Sequence, residues 1–76
     1  MASYSKEELE TMLQEAGLRV TGHRVTVLAT VAKVKQPVTV YELVESLRKK
    51  NNIDQATVYR NLSSLHAAGL LRRLDF

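Results

Sequence analysis

One stretch limits what this chain can fold into more than any other: Ile53 to Leu65. Asp54 stands ahead of a run in which Val58, Leu62 and Leu65 recur at helical spacing. An aspartate in that place can accept from the free backbone N–H groups of a first helical turn. The run therefore predicts an N-capped helix over residues 54–69, closed by Gly69. At about 100° per residue, Ala56, Arg60, Ser63 and Ala67 point away from the apolar stripe, with Tyr59 on the flank. An ordinary solvent face would carry several Lys and Glu. This one carries alanines, serines, one arginine and one tyrosine, which suits close approach to a large rigid partner.

The rest of the chain reads as helices arranged around that one. Ser5 and Glu8 form a capping box, followed by the stripe Leu9, Met12, Leu13 and Ala16 and a break at Gly17. Thr21 caps a second helix running to about Lys35. Val25, Val27, Leu28, Ala29, Val31, Ala32 and Val34 spread apolar groups nearly all round it, so it belongs in the middle of the domain. Gln36-Pro37 breaks it, and Pro37-Val38 is expected to be briefly extended. Thr39 and Glu42 make a second capping box, with Val40, Leu43, Val44 and Leu47 as the stripe and Arg48, Lys49 and Lys50 at the negative end of the helix dipole. Asn51-Asn52 is a short turn, so the third and fourth helices form a helix-turn-helix. Residues 70–76 alternate imperfectly and read as a lone strand with an unpaired edge, a wing cut short before its hairpin turn. The expected fold is mainly all-α: a winged helix-turn-helix of four helices with a partial C-terminal β-wing.

The 76 residues allow one domain, taken as 1–76, near the lower size limit for a core that stands without staples. There is no cysteine, which excludes disulfides and thiolate metal sites. No apolar run approaches the roughly 20 residues of a membrane span and no signal peptide precedes the first helix, so a cytoplasmic protein without membrane contact is expected. The net charge of +3 is unevenly placed. Residues 1–15 hold Lys6 against Glu7, Glu8, Glu10 and Glu15, a balance of −3, whereas residues 16–76 hold a balance of +6. A basic body with an acidic first helix fits nucleic acid on one side only.

An α-helix fits the major groove of B-DNA, where a few side chains on its outer face read the bases. Arg60 is a candidate for a guanine or a phosphate contact. Tyr59 offers a ring to a thymine methyl and a hydroxyl to a phosphate. Thr57, Ser63 and Ser64 are short enough to let the backbone come close, and the helix N-terminus favours a phosphate beside it. Asp54 is a cap or an acceptor for a cytosine amino group. Each residue also has an ordinary reading. Tyr59 fits a half-buried flank with a wet hydroxyl, Arg60 a solvated charge, and Arg19 a plain loop residue. Arg24 divides between pairing with an acid and touching phosphate.

The run Ala56-Thr57-Val58-Tyr59-Arg60, with Leu62 and the ending Ala68-Gly69-Leu70-Leu71, resembles the recognition helix of the ferric uptake regulator family. Upstream, Ala16-Gly17-Leu18-Arg19-Val20-Thr21 with Arg24, Val25, Val27 and Leu28 is similar to that family's first loop and second helix in content and distance. The resemblance runs from about residue 7 to residue 76. It implies the DNA-binding half of a bacterial metal-responsive transcriptional repressor. Tyr59 and Arg60 would lie in the major groove and Arg19 at the minor groove, with Thr57, Ser63, Arg24 and Lys33 in support. The implied partner is double-stranded DNA, an AT-rich palindrome bound by a homodimer of the intact protein, with the oligomeric state of this chain alone left open. The family's zinc, iron or related divalent metals and its dimerisation sheet belong to a C-terminal domain expected beyond Phe76.

No metal site or cofactor is expected in residues 1–76 themselves. Family members commonly place a ligating histidine just before the third helix, where this chain has Pro37. His23 and His66 are far apart, and neither has a second ligand at a plausible spacing. Without a Gly-rich phosphate loop, a Ser-His-acid arrangement or a metal cluster, no enzyme is expected. The alternative from another class is a winged-helix module that docks a protein, or a second copy of itself, through Ala56, Arg60 and Ser63. A small-molecule sensor would need an aromatic-lined pocket, for which only Tyr4, Tyr41, Tyr59 and Phe76 are available.

Overall fold

The computed structural model describes residues 4–34, 38–71 and, for the backbone alone, 74–75. Its elements run α1 (Lys6–Glu15), α2 (Gly22–Ala32), β1 (Val38–Thr39), α3 (Val40–Asn51), α4 (Gln55–Ala67) and β2 (Leu74–Asp75). It is a mainly helical winged helix, as expected. No helix among the described residues is long and apolar enough to cross a membrane.

Every expected helix start is made by the expected cap. Ser5 and Glu8 close a reciprocal capping box, and so do Thr39 and Glu42. Thr21 accepts from the Arg24 N–H and Asp54 from the Thr57 N–H. Gly17, at φ +77°, ends α1. Its N–H donates to the Gln14 carbonyl while the Leu18 N–H reaches the Leu13 carbonyl. Gly69, at φ +80°, repeats that arrangement after α4 with the carbonyls of His66 and Leu65. Both are left-handed closures that glycine adopts without steric cost.

Two boundaries differ from expectation. α2 stops at Ala32 rather than near Lys35, and its last turn tightens, the Lys33 and Val34 N–H groups donating three residues back to Thr30 and Val31. Lys35, Gln36 and Pro37, where the break was expected, lie outside the described residues. The C-terminal strand is not alone. β2 pairs in parallel with β1, Val38 opposite Leu74 and Thr39 opposite Asp75. Parallel neighbours need a long crossover, and α3 with α4 supplies it. Leu71, expected within that strand, is buried in the core, while Arg72, Arg73 and Phe76 lie outside the described residues.

The core gathers Leu9 and Leu13 of α1, Val27 and Leu28 of α2, Leu43, Val44 and Leu47 of α3, and Val58, Leu62 and Leu65 of α4, closed by Ile53 and Leu71. As its all-round apolar pattern predicts, α2 is central and packs against each of the other helices. The α3–α4 turn is fixed from both ends. Asn52 takes the left-handed conformation at φ 55°, which asparagine tolerates better than most residues. Ile53 and Val58, one residue before the α4 cap and four after it, are both buried, the positions of a hydrophobic staple that sets the angle at which α4 leaves the turn.

Candidate nucleic-acid interface

The buried stripe of α4 fixes which side faces out. With Val58, Leu62 and Leu65 fully buried, Ala56, Tyr59, Arg60, Ser63 and Ala67 are exposed. Tyr59 keeps 39% of its surface open, so neither it nor Arg60 is packed beneath another part of the chain. Arg60 is the only Lys, Arg, Asp or Glu within α4. The result is a narrow, small-residue ridge with a single permanent cation near its middle.

At the start of the ridge, Asp54 is the cap of α4 and is exposed. Its carboxylate accepts from the Thr57 hydroxyl at 2.6 Å and from the Thr57 N–H at 3.2 Å. Those two bonds, helped by the Ala56 N–H and the charge of Arg60, hold its carboxyl below the usual range against a smaller opposing effect of desolvation. Thr57 is half-buried and its hydroxyl hydrogen is committed to Asp54. Ser63 is open to solvent and Ser64 half-buried.

Arg19 lies exposed in the loop between α1 and α2, and Lys33 is exposed at the C-cap of α2. Arg24, half-buried in the first turns of α2, pairs with no acid among the described residues. Its Nε donates to Asn61 Oδ1 at 3.2 Å and its Nη1 to the Arg19 carbonyl at 2.8 Å, an amide and a backbone oxygen in place of an acid. Asn61 completes its own bonding by donating from Nδ2 to the Thr57 carbonyl at 2.9 Å. Sequence reasoning passed over Asn61, which is 7% exposed. A signal was available: position 61 falls within the Val58-Leu62-Leu65 stripe, and a polar residue there must find partners inside.

The other readings can be placed as well. Tyr4, Tyr41 and Tyr59 are all exposed, so no aromatic-lined pocket forms among the described residues. Tyr41, off the α3 stripe in that helix's first turn, is the most open of them at 68%. His23 is exposed at the start of α2 and His66 in the last turn of α4. Among the described residues no three His, Asp or Glu side chains converge to hold a metal.

Comparison with curated proteins and with solved structures yields no significant match. The model of the ferric uptake regulator family matches residues 15–76, starting at the end of α1 rather than near residue 7. That span takes in the Arg19 loop, the helix-turn-helix and the ridge of α4 together. The chain belongs to the ferric uptake regulator family, whose members are DNA-binding, metal-responsive transcriptional regulators.

Proposed function

We propose that this domain reads an operator by laying the outer ridge of α4 in the major groove. The observation that carries the reading is the openness of Tyr59, Arg60 and Ser63 on a helix whose opposite side is locked into the core. In this reading Arg60 contacts a guanine or a phosphate and Tyr59 a thymine methyl or a phosphate. The small side chains of Ala56 and Ser63 let the backbone approach, and Thr57 supports the groove-entering end. Arg19 reaches the adjacent minor groove, Lys33 lends positive charge, and Arg24 supports from behind. The site is an AT-rich palindrome, bound by two copies held together through a part of the protein outside these residues. Bound there, the protein represses by covering the promoter. Zinc, iron or a related divalent metal acts through that other part, by changing which dimer geometry is populated.

The test is direct. Duplexes enriched by the chain from a randomised pool should share an AT-rich half-site. Affinity for them should fall steeply between about 50 and about 200 mM salt, as phosphate contacts require. A salt-independent interaction, or a chain that enriches no sequence, would instead favour a protein-docking module. One copy alone should bind weakly, because the second half-site contributes through effective concentration.

A further inference from the structure

We infer that Arg24 is a positioning residue: with Asn61 it forms a strut that fixes the Arg19 loop at a set distance from α4. The inference rests on the reading that α4 and Arg19 enter neighbouring grooves, and it deepens that reading.

Two parts of the chain far apart in sequence meet at one guanidinium. Nε is tied to Asn61 on α4, and Nη1 to the carbonyl of Arg19. Asn61 is nearly buried and anchored to its own helix through the Thr57 carbonyl, so it cannot swing to follow the loop. The planar fork of arginine holds both acceptors in a fixed relation, which the single ammonium of a lysine cannot reproduce. The bond to Arg19 grips the backbone and leaves the Arg19 side chain exposed. A loop tied in this way presents its arginine at one height relative to the recognition helix. The grooves of B-DNA are themselves at fixed spacing, so a pre-set separation lowers the ordering cost of engaging both at once.

The strut and a direct phosphate contact predict different outcomes. The probe is a duplex enriched by the wild-type chain, together with versions in which minor-groove A·T pairs flanking the α4 site are replaced by G·C. Arg24→Lys keeps the charge but not the fork. The strut predicts that it lowers affinity on the order of tenfold and removes most of the A·T preference in the flank, while preference at the bases under α4 persists. It also predicts that Arg24→Lys adds nothing once Arg19 is already alanine. Near wild-type affinity for Arg24→Lys would overturn the inference. So would losses from Arg19→Ala and Arg24→Ala that simply add, with the salt slope dropping by about one for Arg24, as a phosphate contact requires. A defect in Arg24→Lys with Arg19→Ala silent would overturn it too.

A readout without DNA separates failure of the strut from failure of the groove reading. Amide hydrogen exchange at Leu18, the loop N–H that is bonded (to the Leu13 carbonyl), should quicken in Arg24→Lys while the α4 core amides stay protected. Unchanged exchange in the loop would overturn the strut whether or not the chain binds DNA.

Discussion

The two sides of α4 use the same helix for opposite ends. On the inner side Val58, Leu62 and Leu65 have no exposed surface, and the one polar residue among them, Asn61, has both ends of its amide bonded. On the outer side Ala56, Arg60 and Ser63 make no side-chain hydrogen bond among the described residues. Partners inside the molecule account for every polar choice on the first side. On the second, among the described residues, Arg60 acts within the chain only through its charge on Asp54, and Ser63 is open to solvent. Thr57 lies between the two, giving its carbonyl inward to Asn61 and its hydroxyl to the cap.

If the two sides are separate in this way, substitutions one residue apart should fall into separate classes. The largest effect is expected at Leu62. Leu62→Ala should lower the unfolding free energy by about 2–5 kcal/mol in urea titration, while Ser63→Ala stays within about 0.5 kcal/mol. Equal losses would erase the distinction. Next comes Asn61→Ala, which leaves the Arg24 Nε and the Thr57 carbonyl without their partner and should cost about 1–3 kcal/mol in the same measurement. A neutral Asn61→Ala would show that water satisfies those groups.

Arg60→Ala sharpens the contrast from the outer side. It should weaken binding to an enriched duplex by about 1–3 kcal/mol and relax preference at one base, measured by fluorescence anisotropy, with the melting temperature unchanged. Loss of stability without loss of affinity would move Arg60 to the structural side.

The smallest effect concerns pH. The carboxyls of Asp54 and Glu42 are both held low, each chiefly by hydrogen bonds from the residue it caps with, Thr57 and Thr39 respectively. A carboxylate with a depressed folded-state pKa binds fewer protons folded than unfolded. Its contribution is therefore complete above the ordinary carboxylate range and is lost as pH falls through the lower folded-state values, from about pH 4 downwards. Both groups are fully exposed, so the change should be shallow. Melting curves across pH should flatten at the acid end in Asp54→Asn, which keeps a capping oxygen. An unchanged acid limb would mean that the cap's charge is immaterial.

What the sequence determined by itself was local or periodic. Ser5, Thr21, Thr39 and Asp54 mark helix starts because their side-chain oxygens lie within reach of the N–H groups that follow. Gly17 and Gly69 mark ends because few other residues accept a positive φ, and the outer ridge of α4 follows from counting about 100° per residue. Tertiary structure decided whatever depended on partners distant along the chain. Arg24 and Asn61 are 37 residues apart, and nothing in either neighbourhood names the other. The parallel pairing of β2 with β1 and the burial of Leu71 likewise rest on where α3 and α4 deliver the chain. Caps and stripes act within a turn or two of helix. A strut or a strand pair exists only once the packed core has brought its two halves together.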